Sequence, residues 1–257
     1  MRNKQELSDI NYLLTEAEVG NLYSSEYWND LEAEKKKDWW IADGDYDKCW
    51  KYLNTSGTLS ELEDSLRHIK PAKSNDLIVA DFAAGIGWAS AIISKEKNVK
   101  EVHALEMSKH RLELFEDSTK MFEGDAAKIK RYFGSFYDSK FDDSFFDIIL
   151  LNQAFHHADE PFKLLQECKR IIKPNGLILI VGEPYIGVKA YCRRFLTLLI
   201  KERKFKYKFY DLFKTCPEMG DHYYRDSDYK FIFQSAGFES NFQLLRTGNG
   251  FYLLKNL

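Results

Sequence analysis

Short apolar runs alternate with amphipathic stretches through the middle of the chain. Continuous apolar runs at 77–82, 102–105, 129–133, 146–151 and 177–181 predict buried strands. Helical periodicity between them predicts helices over 88–94, 109–121 and 161–172. Strands that are apolar on both faces and separated by helices indicate a parallel sheet with helices on both sides. Right-handed crossovers would make this a doubly wound sheet.

The regions before and after this alternating part of the chain differ from it in amino-acid composition. Residues 1–73 are polar and rich in aromatic side chains, and a short amphipathic helix is predicted over 60–70. After residue 184 comes a basic, aromatic segment, followed by a predicted helix over 228–236. Two apolar runs joined by a glycine turn near the end predict a hairpin that adds one antiparallel strand to the sheet.

Composition and charge narrow the class of protein. The 257 residues are 44% hydrophobic and 30% charged, which is typical of a packed globular protein and excludes a disordered one. A net charge of −3 argues against a globally basic nucleic-acid binder. Four cysteines without a Cys-x-x-Cys pair indicate no zinc cluster and a reducing compartment. With no secretory signal and no apolar run of about 20 residues, we expect a cytoplasmic protein without a transmembrane segment.

The most informative segment is the turn between the first strand and the first helix of the sheet. Asp81 lies near the end of the strand, and Gly or Ala occupies each position of the turn where a ligand would approach the backbone. The helix that follows offers free N–H groups. The next strand ends at Glu106, nineteen residues beyond Gly87, where an acid can accept both hydrogen bonds of a ribose diol. This arrangement predicts a nucleoside site; the alternative is an ordinary tight turn with a surface glutamate.

The turn also favours one kind of nucleoside over another. A dinucleotide site prefers glycine at three positions, so that the pyrophosphate can touch the backbone. Here Ala83 and Ala84 occupy the first candidate positions for these glycines, and the Asp81 carboxylate would repel a pyrophosphate. An acid at this place suits a ligand with a cationic end, such as the sulfonium and ammonium of S-adenosyl-L-methionine.

On these residues the chain resembles the class I S-adenosylmethionine-dependent methyltransferases, in particular the small-molecule, type 11-like branch that includes the ubiquinone and menaquinone C-methyltransferases. The likeness extends over about 76–184. It implies an α/β, Rossmann-like, doubly wound and mostly parallel seven-stranded sheet with a C-terminal antiparallel hairpin. The expected organisation is an N-terminal helical cap or lid over 1–73 and a Rossmann-like methyltransferase domain over 74–257, with 188–227 as a substrate-side insertion.

The resemblance assigns cofactor-binding roles residue by residue. The family's first motif holds the methionine end, its ribose-binding acid matches Glu106, and Met107 matches the residue that packs on adenine. Ala83 departs from the motif's first glycine, and Ser135 replaces the acid that usually accepts from the adenine amino group. The resemblance implies S-adenosyl-L-methionine as cofactor and S-adenosyl-L-homocysteine as product, bound by Asp81, Ala83, Gly85, Gly87, Glu106, Met107, Ser135, Phe136 and Asn152.

Histidines are the candidates for the acceptor side. Methyl transfer is an in-line displacement that depends on positioning and on excluding water. A hydroxyl acceptor must also lose a proton, and histidine is suited to take it. His156 and His157 follow the fourth predicted strand, and His157 is the favoured catalytic residue; the alternative is that they cap a helix or pack against a neighbour. His222, before the last helix, is the third catalytic candidate, and an ordinary polar loop is its alternative.

Two further clusters leave their roles open. Residues 189–214 contain nine Lys or Arg and two acidic residues, which is an excess of seven positive charges. This segment could be a lid for an anionic or sugar-phosphate acceptor, an interfacial surface, or a solvated helix face. The N-terminal aromatic residues could cover the pocket or form a small core, and they include Tyr23, Tyr27, Trp28, Trp39 and Trp40.

The leading hypothesis is a methyltransferase acting on a small molecule, at an oxygen of a sugar, sugar-phosphate or similar metabolite. Nucleic acid is a poor acceptor candidate, because residues 152–155 lack the Asn/Asp-Pro-Pro-aromatic motif of enzymes that methylate base amino groups. The alternatives are a nicotinamide-dependent reductase and a non-catalytic, cofactor-binding regulatory protein. No metal site is expected, and the oligomeric state cannot be inferred from the sequence.

Overall fold

An eight-stranded sheet forms the centre of the computed structural model, which describes residues 7–22, 28–32, 45–69, 76–203, 205–206 and 220–257. The strand order is β1-β4-β3-β2-β5-β6-β8-β7, and only β8 runs antiparallel to its neighbours. The predicted doubly wound sheet with its C-terminal hairpin is therefore confirmed. The strands are β1 (Ile10–Tyr12), β2 (Leu77–Phe82), β3 (Val99–Glu106), β4 (Ile129–Phe133), β5 (Phe146–Asn152), β6 (Ile172–Glu183), β7 (Phe238–Leu244) and β8 (Gly250–Asn256).

The eighth strand, β1, comes from the N-terminal region and was not predicted. It is three residues long and pairs in parallel with β4, with Ile10 opposite Arg131. The Arg131 guanidinium donates a hydrogen bond to the Ser8 carbonyl oxygen at 2.6 Å and holds this N-terminal segment against β4. So short and partly exposed a strand has too few apolar positions to show an alternating pattern.

Helices cover both faces of the sheet, as the alternating pattern indicates. The predicted helix over 109–121 is divided at Leu114 into two short helices. No helix within the described ranges is both long and apolar enough to cross a bilayer. The helices are α1 (Glu16–Gly20), α2 (Tyr46–Ser56), α3 (Thr58–Ser65), α4 (Trp88–Ser94), α5 (Lys109–Glu113), α6 (Phe115–Met121), α7 (Pro161–Ile171), α8 (Val188–Ile200) and α9 (Asp226–Ser235).

Helices α2 and α3 pack against the sheet rather than forming a separate core. Leu53 and Leu62 are buried in the same hydrophobic cluster as Val79 of the central strand β2. The Glu61 carboxylate of α3 accepts hydrogen bonds from side chains in the turn between β7 and β8, those of Thr247 and Asn249. The N-terminal region and the hairpin are thus fastened together, while the boundary at residue 73 stays a prediction.

The strand order reverses between β2 and β5, which creates a crevice at their carboxyl ends. The turn after β2 leads into this crevice and reaches α4 through Gly87, whose φ of +83° lies in the left-handed region. A Cβ at this position would overlap the ring of Phe115. Glycine is therefore required here both for the backbone conformation and for the contact between α4 and α6.

Candidate cofactor and acceptor site

A cavity of about 550 Å³ occupies this crevice, a size typical of small-molecule sites. It has two ends, which we call the donor end, around Asp81 and Glu106, and the acceptor end, around His156, His157 and Asp221. Gly87 does not contribute to the lining, because it faces Phe115. The other predicted cofactor residues all line the cavity, namely Asp81, Ala83, Gly85, Glu106, Met107, Ser135, Phe136 and Asn152.

The turn after β2 presents backbone to the cavity. Ala83 and Gly85 have φ values of +53° and +57°, so the chain makes a sharp left-handed turn there. A Cβ built on Gly85 would meet nothing within 4 Å, because this position opens into the cavity. A ligand can therefore approach the backbone at Gly85 closely, as the small-residue pattern predicts.

Glu106 is buried at the end of β3 and is held by backbone N–H groups. Its Oε2 accepts from the Gly85 N–H at 2.7 Å, and its Oε1 accepts from Met107 and Ser108, each at 2.9 Å. Burial raises the pKa of Glu106, an effect that nearby Arg111 and these N–H groups oppose. The carboxylate is thus fixed in orientation where it lines the cavity, as a ribose-binding acid requires.

Asp81 is the second acid of the donor end. The Ser90 hydroxyl donates to its Oδ2 at 2.5 Å, which positions the carboxyl group against the first turn of α4. Burial raises the pKa of Asp81 to about 7; the Ser90 hydrogen bond opposes this shift and the charge of Glu106 adds to it. A cation placed beside this carboxyl group would stabilise its ionised form.

Apolar and amide groups complete the donor end. Met107 and Phe136 line the cavity and offer apolar surface for a planar base. Ser135 uses its hydroxyl oxygen to accept from the Tyr137 N–H at 3.2 Å. The Oδ1 atom of Asn152 is buried on a residue that lines the cavity, and it has no hydrogen-bond partner among the described residues. A buried oxygen of this kind is a place for a ligand donor.

These residues fit S-adenosyl-L-methionine. Glu106 suits the ribose diol, Asp81 suits the cationic amino-acid end, and the apolar side chains suit the adenine. The unpartnered oxygen of Asn152 adds one acceptor between them. A pyrophosphate would meet two buried acids in the same space, which disfavours a dinucleotide.

At the acceptor end, His156 is held rigidly by a buried acid. Its Nδ1 lies 3.0 Å from Oε2 of Glu183, which also accepts from the Tyr229 hydroxyl at 3.1 Å. The backbone N–H groups of Phe155 and His156 donate to the same carboxylate. Burial alone would lower the pKa of His156, but the Glu183 carboxylate outweighs it and raises this pKa. The Nδ1 atom of His156 is therefore committed to Glu183, and the ring is fixed in orientation.

His157 lies beside it in a different setting. Burial, and then the neighbouring His156, lower the pKa of His157 to about 4, so this imidazole is neutral at pH 7. Its Nδ1 lies 3.1 Å from Oδ1 of Asp221 without the alignment of a hydrogen bond, and neither buried atom has a hydrogen bond to another residue that the structure describes. The Trp28 ring packs edge-on against the imidazole, with centroids 4.7 Å apart. A neutral imidazole that lines the cavity can accept a proton from a bound hydroxyl.

The acceptor end also has the donor set of a divalent ion. His156, His157 and Asp221 each offer one ligand atom, and these atoms lie within 4.8 Å of one another. The Nδ1 of His156 is already engaged by Glu183, which leaves its other nitrogen for such a role. A proton-transfer role and a metal role for His157 are distinguishable by experiment, as described below.

His222 lies at the edge of this cluster rather than in the cavity. Its Nε2 lies 2.9 Å from Oδ1 of Asp159, and its backbone N–H donates to the His156 carbonyl oxygen at 2.7 Å. Its side chain is not among those that line the cavity. It is the preceding residue, Asp221, that does so.

Sequence reasoning missed several residues that the fold brings to the site. Asp221 and Glu183 lie far from His156 and His157 along the chain. The sequence marks Asp221 only as the neighbour of His222, and Glu183 only as a residue near the end of a predicted strand. Of the predicted aromatic cover, Trp28 lines the cavity, whereas Tyr23, Tyr27, Trp39 and Trp40 lie outside the described residues. The other unpredicted lining residues include Lys48, Tyr52, Leu53, Arg111 and Gln153.

Comparison with known proteins supports this interpretation of the donor end. Residues 80–180 match the family model described as a methyltransferase domain. The malonyl-[acyl-carrier protein] O-methyltransferase of Halalkalibacterium halodurans is 27% identical over 127 residues. That match covers 47% of this chain and 44% of the relative, so the chain spans less than half of the length of the curated protein it matches.

Solved structures share the fold at lower identity. YcgJ of Bacillus subtilis is 21% identical, with a TM-score of 0.51 over 70% of each chain. A chain from the complex of the Haloferax volcanii Trm112 methyltransferase activator with a methyltransferase is 17% identical, with a TM-score of 0.61 over 89% of this chain and 97% of that one. Together with the matched domain and the geometry of the donor end, these likenesses support a class I S-adenosylmethionine-dependent methyltransferase of the type 11 branch.

Proposed function

We propose that this chain transfers a methyl group from S-adenosyl-L-methionine to an oxygen of a small-molecule acceptor. The observation that carries the proposal is one cavity with two chemically different ends. The donor end offers two buried acids to a ribose and a cationic amino acid. The acceptor end offers a neutral imidazole, that of His157, beside a buried carboxylate.

The residues of the donor end bind and orient. When bound, the cofactor supplies an electrophilic methyl group on a sulfonium. Glu106 would hold the ribose and Asp81 the amino-acid end, so that the sulfonium is kept in one position along the cavity. The buried walls of the cavity exclude water, which would otherwise compete as acceptor. Most of the rate acceleration would come from this positioning.

The acceptor end would handle the proton. As the acceptor oxygen forms its bond to the methyl carbon, the carbon–sulfur bond breaks and the hydroxyl proton passes to His157. The Asp221 carboxylate, 3.1 Å away, would stabilise the imidazolium that results. His156, fixed by Glu183, would orient the acceptor through its free ring nitrogen.

The lining of the cavity favours a sugar or sugar-phosphate acceptor. Trp28 and Tyr52 offer aromatic faces of the kind that stack on sugars, and Lys48 adds a positive charge. A carboxylate is a second candidate class, because the curated relative is a malonyl-[acyl-carrier protein] O-methyltransferase. A carboxylate acceptor needs no base, so its methylation would not depend on His157.

The first test is calorimetric titration of the protein with S-adenosyl-L-methionine, S-adenosyl-L-homocysteine and NADH. Micromolar binding of the first two, without binding of NADH, is the expected result. Binding of NADH instead would favour the nicotinamide-dependent reductase. Incubation with methyl-labelled cofactor and panels of sugars, sugar phosphates and carboxylates then measures transfer. Cofactor binding without transfer to any acceptor class would favour a regulatory protein.

The same assay separates proton transfer from metal chemistry. The reaction is run with a chelator, and then with added Mg²⁺, Mn²⁺ or Zn²⁺. An unchanged rate supports His157 as the proton acceptor. A rate that falls with chelator and returns with one ion would instead assign the cluster of His156, His157 and Asp221 to that metal.

A further inference from the structure

Helix α8 and the residues after it carry an exposed apolar surface. Val188, Leu196 and Ile200 are 80%, 53% and 72% exposed, and Phe205 is 80% exposed. We call these four side chains the α8 surface. Burying such groups is favourable, and leaving several of them in water within so short a segment is unusual for a surface that meets only solvent.

The geometry of the helix places this surface on one side. Val188, Leu196 and Ile200 lie eight and four residues apart, so at about 100° per residue they fall within a third of the helix circumference. The opposite side meets the protein, where Leu198 is fully buried. An apolar stripe that extends beyond the buried contact is typical of a helix that lies on a second surface.

Basic side chains surround the α8 surface. Arg193, Lys201, Arg203 and Lys206 are exposed. Glu202, the acidic residue of this segment, accepts a hydrogen bond from the Arg194 guanidinium at 2.6 Å. Its negative charge therefore compensates Arg194 rather than one of the four exposed cations. The segment therefore combines exposed apolar groups with a local excess of positive charge, in a protein whose net charge is −3.

A role in the cavity does not explain this combination. No described side chain of 188–206 lines the cavity, so these cations do not form the wall of an acceptor site. A solvated helix face would account for the charges but not for the exposed apolar groups. An anionic lipid bilayer is the partner that matches both, because its headgroups attract Lys and Arg while its acyl boundary takes up apolar side chains.

We propose that α8, together with Lys201, Arg203, Phe205 and Lys206, binds the surface of an anionic lipid bilayer, with the α8 surface inserted at the level of the headgroups. This function goes beyond methyl transfer and is independent of it. It would hold the protein at a membrane surface, and none of the described helices would cross the bilayer.

The experiment is sedimentation of the full chain with vesicles. One set contains phosphatidylcholine with about a third phosphatidylglycerol, and the other contains phosphatidylcholine alone. Binding to the anionic vesicles at low salt, weakened at 0.5 M salt and absent from the neutral ones, is the expected result. L196E/I200E and R193E/K201E should each lower the apparent affinity at least about 30-fold, because each removes two favourable contacts.

Matched controls keep the test specific. F231E/L244E replaces two exposed apolar residues elsewhere, and K95E/K97E reverses two exposed lysines just after α4. Both should bind vesicles like the wild type. All variants should keep their melting temperature and their affinity for S-adenosyl-L-methionine, because the altered side chains are exposed and outside the cavity.

Three outcomes would overturn the proposal. The first is that the wild type fails to bind anionic vesicles at low salt. The second is that both α8 variants bind as tightly as the controls. The third is that the wild type forms a dimer which L196E/I200E converts to a monomer while vesicle binding is unchanged; the α8 surface would then be the contact between two copies.

Discussion

The two ends of the cavity are built in different ways. At the donor end, Glu106 accepts hydrogen bonds from the next two residues and from the turn after β2. At the acceptor end, the imidazoles of His156 and His157 face acids from β6 and from the loop before α9. The donor end depends on local segments of chain, whereas the acceptor end depends on how distant segments pack.

The two ends also differ in how many of their buried polar atoms form hydrogen bonds within the protein. Both carboxylate oxygens of Glu106 are hydrogen-bonded, but Nδ1 of His157 and Oδ1 of Asp221 are buried without such a bond. Leaving a buried polar atom unpaired costs about 1–3 kcal/mol. Among the described residues, these two atoms at the acceptor end lie 3.1 Å apart without the alignment of a hydrogen bond, so the packing there departs from full satisfaction of polar atoms.

The largest effect is expected at the donor end. In the Glu106→Gln variant, one amide oxygen must replace two carboxylate oxygens that together accept three N–H groups. The affinity for S-adenosyl-L-methionine should fall at least about 100-fold, because charged hydrogen bonds to the ribose are lost. Calorimetric titration measures it. Glu101→Gln, on the same strand but away from the cavity, should bind normally; equal loss in both variants would mean that β3 itself is damaged.

A substitution at the acceptor end should lower kcat without changing the affinity for S-adenosyl-L-methionine. The His157→Gln variant keeps a polar side chain of similar reach but cannot take up the proton. Its kcat for a hydroxyl acceptor should fall about 100-fold, while the dissociation constant of S-adenosyl-L-methionine stays the same. Asp221→Asn should lower kcat less. An unchanged kcat for His157→Gln would remove this residue from the reaction and favour an acceptor that needs no base.

A smaller effect is expected from pH. The pKa of Asp81 is about 7 in the protein, so below that value its carboxyl group is mostly neutral and attracts a cation poorly. Affinity for S-adenosyl-L-methionine should therefore rise about tenfold between pH 6 and pH 8, with protons released on binding at pH 6. Titrations in buffers of different ionisation enthalpy measure this release. Asp81→Asn should abolish the pH dependence, and a flat profile for the wild type would contradict the prediction.

The smallest effect is expected at His222. This side chain pairs with Asp159 outside the cavity lining, although it stands next to Asp221 in the chain. His222→Ala should change kcat by less than about threefold. A loss as large as that of His157→Gln would show that the acceptor end extends further than the cavity lining indicates.

The same contrast explains how much could be predicted from the sequence. The strand bounds at 77–82 and 129–133 and the helix at 88–94 agree with the structure, because each is set by a local apolar run and a turn. That Asp81 and Glu106 would line one cavity could be predicted for the same reason, since strand, turn, helix, strand and acid follow one another along the chain. The importance of Asp221 and Glu183 could not be predicted, because their contacts depend on β6 and on the loop before α9.

The link between α3 and the last hairpin has a consequence for synthesis. Glu61 finds its partners Thr247 and Asn249 in the turn between β7 and β8, which emerges from the ribosome after every described element except β8. Strand β8 also has to enter the sheet between β6 and β7. Tyr52 and Leu53, which precede α3 and line the cavity, therefore gain their final support only after β8 has been synthesised. The growing chain would acquire the acids of its donor end before the hairpin that supports these walls of the cavity.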